Sequence, residues 1–250
     1  MLVGAWRLLR VLLHVLHGAV ICAFVFPFLE PEPRRRRVGW FAQRMLVLLD
    51  VAVDSHGTPH AAPCMLVANH VSWLDILVIN SVRPVRFVSK ADVRAWPVLG
   101  RLVTCGGTLY IERERKRDAM RVVHQVADAL KANHTIAIFP EGTTSAGHGL
   151  LPFHANLLQA AIVTGTPVQP LALRYADDGE AVSAAAAYVG DMNLVESVWA
   201  VVTAKGLRVR LDWLPAVDSR GLDRRALSEV LRGRILQALT GPAVGIVAAR

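Results

Sequence analysis

An α/β fold is predicted, with a largely parallel central sheet flanked by helices and an N-terminal membrane-associated helical segment. Three features of the sequence predict it. Short apolar runs of strand length alternate with helical patterns from Cys64 onward. Several of those runs stop at polar or Gly-rich stretches, as strands do at the ligand-binding edge of an open α/β sheet. A charge-free run precedes all of this, and the 250 residues suffice for one such domain plus an appendage.

The first element is apolar. Val11 to Leu29 is 19 residues without a formal charge, interrupted by His14, His17 and Gly18. As a helix it would be about 28 Å long, barely a bilayer core. It could span once, or lie half-inserted with Arg7, Arg10, His14 and His17 towards the headgroups. A cleaved leader and a soluble core helix are the other readings, although no small-x-small cleavage site is clear. Arg34 to Arg37 follow a Pro-Glu-Pro turn, and a basic run beside a spanning helix places the following chain in the cytoplasm. Residues 1–39 therefore read as anchor and basic linker, and 40–250 as the catalytic-looking domain.

Trp40 to Leu49 reads as a second apolar helix, leading to a strand that ends near Val53. Asp54 to Pro63 reads as a polar loop. Strands are predicted at Cys64–Ala68, Arg86–Ser89, Thr108–Ile111, Thr135–Phe139, Val168–Arg174 and Leu207–Asp212. Helices are predicted to begin at Trp73 and to cover Arg115–Lys131, Asn156–Thr164 and Leu194–Thr203. The last helix runs from Asp223 to Leu239, with Asp223 as cap and Leu227, Val230, Leu231, Ile235 and Leu239 facing in.

Composition narrows the function. The chain is 53% hydrophobic with a net charge of +8, which suits an anionic membrane face better than nucleic acid. No helix-turn-helix, finger or aromatic-basic signature supports a nucleic-acid partner. The three cysteines, Cys22, Cys64 and Cys105, show no paired spacing, so reduced thiols are expected rather than disulfides or a zinc site. The histidines show no HExxH-type spacing, and no metal is expected.

The chemistry centres on Asn69-His70-Val71-Ser72-Trp73-Leu74-Asp75. On one regular helix, His70 and Asp75 would point about 140° apart. They can meet if His70 stands in the loop after a strand and Asp75 reaches back from the next helix. An imidazole with one nitrogen held by a carboxylate can use the other as a general base. Taken alone, the pair reads more simply as a polar loop with a capping Asn or Ser, and the blocks that follow change that balance. Three further stretches end strands. Lys90 follows Phe87-Val88-Ser89, an anion contact or a solvated strand end. Arg113 closes Gly107-Thr108-Leu109-Tyr110-Ile111-Glu112 and opens a helix, where its fork suits phosphate or carboxylate. Glu141, Gly142, Thr143 and Thr144 follow Ile138-Phe139-Pro140. There Glu141 can hold substrate hydroxyls or brace the loop, and Gly142 admits close backbone approach.

These blocks stand in order: Asn69-His70 to Asp75, Gly107 to Arg113, Phe139 to Ser145, then Thr166-Pro167-Val168-Gln169-Pro170-Leu171. In that order and spacing the chain resembles the lysophospholipid acyltransferase family over about residues 40–215. The resemblance implies the glycerolipid acyltransferase fold and transfer of a fatty acyl group from acyl-CoA or acyl-carrier protein to a lysolipid hydroxyl. It implies His70 as base and Asp75 as its orienter, with no acyl-enzyme. It implies acceptor binding by Gly107, Arg113 and the Glu141-Gly142-Thr143-Thr144 loop, with Lys90 adding a cation. No cofactor is implied beyond the acyl donor as co-substrate. The expected partners are the bilayer, the lysolipid and the donor. The expected location is the inner membrane, with the domain on its cytoplasmic side.

Two positions depart from the commonest family pattern. Thr144 stands where arginine is usual, and Glu112 where aspartate is. The Thr-Thr form resembles the branch that acylates lyso-ornithine lipid. Arg113 and the basic balance keep 1-acyl-sn-glycerol-3-phosphate as the first expected acceptor and lyso-ornithine lipid as the alternative. Readings from other classes are a non-catalytic basic membrane-binding module and a thioester hydrolase.

Overall fold

The computed structural model describes residues 2–111 and 116–241, with side chains omitted for 116–119. Helix α1 covers Leu2–Phe24 and α2 covers Pro31–Leu49. The Pro-Glu-Pro segment opens α2 rather than forming a separate turn, because a first-turn proline gives up no helical hydrogen bond. The arginine run therefore lies in a helix, and α2 continues through residues 39 and 40, where the sequence suggested a boundary.

The sheet has seven strands among the described residues: β1 Ala52–Gly57, β2 Cys64–Ala68, β3 Arg86–Lys90, β4 Leu109–Ile111, β5 Thr135–Ile138, β6 Val168–Ala176 and β7 Arg208–Trp213. Their order is β1-β7-β6-β2-β5-β3-β4. The pairs β6·β2, β2·β5, β5·β3 and β3·β4 are parallel, while β7 runs antiparallel to β6 and parallel to β1. Five strands thus point one way and two the other. β2 lies in the middle and is buried throughout, which is why it reads as an uninterrupted apolar run.

The helices between the strands are α3 Leu74–Val82, α4 Leu99–Cys105, α5 Lys116–Lys131, α6 Leu158–Thr164, α7 Leu194–Thr203 and α8 Arg224–Thr240. They cover both faces and divide the core. One apolar cluster joins Leu49, Leu66, Leu74, Ile79 and Leu173, and the other joins Met65, Val126, Ile138, Leu158 and Leu231. Asp223 caps α8 through backbone N–H groups of Arg225 and Ala226, each 2.8 Å away. Leu227, Leu231 and Ile235 face inward as expected, but Val230 lies off that stripe and is 38% exposed. α4 carries no periodic apolar face and is not evident in the sequence. β1 extends into the stretch expected to be loop, because its partner β7 rather than its own polar residues holds it extended.

α1 is docked along its length. Its inward line is Gly4, Val11, His14 and Gly18. A Cβ at Gly4 would stand 2.8 Å from Thr203 on α7, and one at Gly18 would stand 2.5 Å from Phe41 on α2 and 3.0 Å from Leu102 on α4. The outward face carries Leu2, Trp6, Leu13, Leu16 and Phe24, all more than half exposed. By length and composition α1 is the helix able to cross a membrane among the described residues, and little of it is buried.

Candidate active site

β2 ends at Ala68, and the chain leaves the sheet through Asn69. The Asn69 side chain is buried and bonds both ways with Leu173 of β6, donating to its carbonyl at 2.9 Å and accepting from its N–H at 2.8 Å. This locks the exit of the strand. His70 then stands in the loop, and α3 begins at Leu74. Asp75, fully buried, reaches back so that Oδ2 lies 2.8 Å from His70 Nδ1. The same oxygen accepts from the N–H groups of Val71 at 2.8 Å and Ser72 at 3.0 Å. The pair meets in the way a loop histidine and a helical aspartate can.

A carboxylate can only accept, so the proton of a neutral His70 resides on Nδ1. Nε2 then carries a lone pair and has no protein partner among the described residues. The His70 side chain is 19% exposed, so the ring is reachable while Asp75 is not. The Phe139 ring stacks on the imidazole at 4.0 Å and 11°.

Two further groups fix the pair. Tyr175 on β6 donates its hydroxyl to Asp75 Oδ1 at 2.7 Å. Burial first, and then the neighbouring Asp75 charge, push the Tyr175 phenol well above its usual range, so it stays a donor. Glu141 receives the His70 N–H on Oε1 at 2.7 Å and the Leu151 N–H on Oε2 at 2.9 Å. It is 3% exposed, and burial raises its carboxyl above the usual glutamate value against the pull of those two donors. Through these two bonds Glu141 braces the loop of His70 against that of Leu151.

The other expected residues divide. Lys90 is exposed at the end of β3, and β2, β5 and β3 all end at the edge that carries His70 and Glu141. Gly142 turns the loop at φ 72°, and Thr143 is exposed beside it. The Ser145 N–H donates to the His70 carbonyl at 2.8 Å, tying this loop to the histidine. Thr144 donates its hydroxyl to the Tyr188 carbonyl, which braces the loop and takes up the proton it could have given to a phosphate. Gly107 does not reach the site. It precedes β4 at the opposite edge, with its carbonyl held by Arg86 Nε at 2.7 Å. Arg113 and Glu112 lie outside the described residues.

Tyr175 and the stacked Phe139 ring were not assigned roles from the sequence. Tyr175 comes from a strand that begins about a hundred residues after the histidine, and no local pattern pairs them. An apolar groove of about 380 Å³ lies nearby, lined by Trp96, Pro97, Leu99, Tyr188, Asn193 and Leu194. Tyr188 joins it to the site, since its N–H donates to the Val71 carbonyl at 3.0 Å.

Comparison with known proteins identifies the family of the chain. The family described as Acyltransferase matches residues 51–174. A 1-acyl-sn-glycerol-3-phosphate acyltransferase of Neisseria meningitidis is 36% identical over 209 residues, covering 82% of this chain and 81% of that protein. A lyso-ornithine lipid O-acyltransferase of Pseudomonas aeruginosa is 36% identical over 210 residues, covering 84% and 81%. A second one, from Rhizobium meliloti, is 36% identical over 227 residues, covering 85% and 78%. The crystal structure of a 1-acyl-sn-glycerophosphate acyltransferase from Thermotoga maritima superposes with a TM-score of 0.64 at 21% identity, over 93% of this chain and 96% of that one. That likeness is one of fold.

Proposed function

This chain belongs to the lysophospholipid acyltransferase family and transfers an acyl group to a lysolipid, and from that premise we propose that His70 and Asp75 drive the transfer and that lyso-ornithine lipid is the acceptor. The observation that carries the proposal is the 2.8 Å contact between His70 Nδ1 and a buried, fully bonded Asp75. His70 Nε2 takes the proton of the acceptor hydroxyl as its oxygen attacks the thioester carbonyl. The imidazolium so formed is stabilised by Asp75. Collapse of the tetrahedral intermediate breaks the C–S bond, and the proton passes from His70 to the leaving thiolate. The groove beside Tyr188 suits the fatty chain, because its lining is almost entirely apolar.

The acceptor ranking here reverses the one suggested by overall charge. At Thr144, where a phosphate-binding arginine is usual, the side chain is neutral and its hydroxyl is committed to Tyr188. The Pseudomonas and Rhizobium relatives are named for lyso-ornithine lipid. The Neisseria relative supports 1-acyl-sn-glycerol-3-phosphate as the second reading.

For the membrane, we propose that α1 lies half-inserted. Gly4 and Gly18 are both docked on the catalytic body, and they stand about 21 Å apart along the helix. The helix therefore cannot leave that body to cross alone, while its outer apolar face enters one leaflet. Arg34 to Arg37 favour the anionic cytoplasmic leaflet of the inner membrane.

The test is a panel of acceptors with one acyl-CoA donor, read by lipid mass spectrometry. Lyso-ornithine lipid should be acylated faster than 1-acyl-sn-glycerol-3-phosphate, and the reverse order would refute the acceptor assignment. His70→Ala should lose about 10²- to 10⁴-fold in rate while still sedimenting with membranes. CoA release without any acceptor would identify a hydrolase instead.

A further inference from the structure

Two thiols that the acyl-transfer chemistry leaves unused meet between α1 and α4. The two helices touch where a Cβ at Gly18 would stand 3.0 Å from Leu102 Cδ2. Cys22 comes four residues after Gly18, and Cys105 three residues after Leu102. Those spacings keep residues on one helical face, so each cysteine continues the contact line of its own helix. The side chains meet accordingly. Cys105 Sγ lies 4.0 Å from the Cys22 carbonyl oxygen, as a weak S–H donor does, and the two thiols also hydrogen-bond to one another. Both are free and half-buried, whereas Cys64 is buried elsewhere, in β2.

Their setting gives them different roles. Burial, and then the Cys105 thiol beside it, push the Cys22 thiol well above its usual range. Cys22 therefore keeps its proton, and the first sulfur to react is that of Cys105, because the thiolate is the nucleophile. Arg101, one turn before Cys105, brings a positive charge to the pair, a setting that favours a thiolate there. A protonated thiol held against a second sulfur is the arrangement of a resolving cysteine.

We infer that Cys22 and Cys105 form a redox site, at which a peroxide converts them to a disulfide that staples α1 to α4. The Cys105 sulfur attacks the peroxide and the O–O bond breaks. Cys105 becomes a sulfenic acid and one water is released. The Cys22 sulfur then attacks the Cys105 sulfur. An S–S bond forms, the S–O bond breaks, and the Cys22 proton leaves with the hydroxyl as a second water. Two thiols are oxidised and one peroxide is reduced. A dithiol reverses the staple by exchange. What the two helices carry gives the bond its consequence. α4 opens at Leu99, on the wall of the apolar groove, and α1 bears the outward apolar face. Once bonded they cannot part, so the groove wall is fixed to that helix.

The experiment oxidises the full-length protein in detergent micelles with a slight excess of hydrogen peroxide, blocks the remaining thiols and maps the peptides by mass spectrometry. A disulfide between Cys22 and Cys105 should form, and dithiothreitol should reverse it. Cys64→Ser should form it equally well. Cys22→Ser should stop at a sulfenic acid on Cys105, trapped by dimedone, whereas Cys105→Ser should leave Cys22 as a thiol. The oxidised protein should unfold at higher urea than the reduced one, since the bond closes a long loop in the unfolded chain. Oxidation of Cys105 to the sulfinic acid without a disulfide overturns the staple. A disulfide that forms as fast in urea as in the folded protein also overturns it, because the fold then has no part in pairing the thiols. A sulfenic acid trapped on Cys22 instead overturns the order of reaction. None of these measurements uses acyl transfer, so they decide the site whether or not His70 is the base.

Discussion

Asp75 serves four donors with two oxygens: His70 Nδ1, two backbone N–H groups and the Tyr175 hydroxyl. Removing the tyrosine hydroxyl leaves the carboxylate more basic, and a more basic carboxylate holds the imidazolium proton more tightly. Tyr175→Phe should therefore lower kcat by about tenfold, the size of one charge-assisted hydrogen bond, with little change in the acceptor KM. The acid limb of its pH–rate profile should move to higher pH, which a purely structural defect would not do. Glu141 offers a second test at this scale. Its carboxyl is raised by burial, so between about pH 4.5 and that higher value the folded state binds more protons than the unfolded one. Stability from this group is present below the unfolded value and is lost as pH rises through the folded one. Denaturant melts of Glu141→Gln should lack that slope. The variant should also lose about 1–3 kcal/mol, because an amide NH₂ leaves the N–H of His70 or Leu151 without an acceptor.

At the scale of elements, the active edge depends on how tightly the short segments after β3 are folded. A Cβ on Gly100, at the start of α4, would stand 2.3 Å from the Arg94 carbonyl oxygen and 2.9 Å from that of Val93. Backbone cannot yield as a flexible side chain can. Gly100→Ala should cost about 1–3 kcal/mol in chemical denaturation, with Lys90 and the Trp96 wall of the groove displaced together. Acyl-chain preference, measured over a series of acyl-CoA lengths, should broaden in the same variant. The sequence shows why α4 is hard to foresee: Leu99-Gly100-Arg101-Leu102 has neither a cap nor an apolar stripe. β1 is similar, since Val53-Asp54-Ser55-His56 gains its extended form from pairing with β7. By contrast, α7 is bounded by a capping box of Asn193 and Glu196, a local signal that reads directly from sequence.

For the whole molecule, the proposed half-insertion of α1 sets how the enzyme would meet its lipid. A half-inserted helix presents Leu9 and Leu13 outward while Gly4 and Gly18 hold it to the body. Leu9→Glu/Leu13→Glu should release the protein from vesicles and lower acylation of vesicle-borne lysolipid by about tenfold or more, at 1.5–3 kcal/mol per exposed leucine side chain. A short-chain acceptor below its micellar concentration should still be acylated. A spanning helix would instead expose residues near Leu2 to a membrane-impermeant thiol reagent from the far side, once cysteine is placed there.

Local pattern alone sufficed for the α/β class, the extent of β2 and α7, the Asp223 cap, and the meeting of His70 with Asp75. Each of these is written within a few residues, in periodicity, capping chemistry or spacing. Tertiary structure alone decided the rest. Tyr175 meets Asp75 across a hundred residues because β6 lies beside β2. The reversed pair β1 and β7 reflects pairing between distant strands, to which no local period is sensitive. Gly107 lies at the opposite edge from His70 because β4 crosses the sheet immediately after it. Glu141 joins the His70 loop to the Leu151 segment because folding delivers one backbone N–H group from each to its oxygens. Partners that come together only when the sheet assembles leave no mark on the segments that supply them.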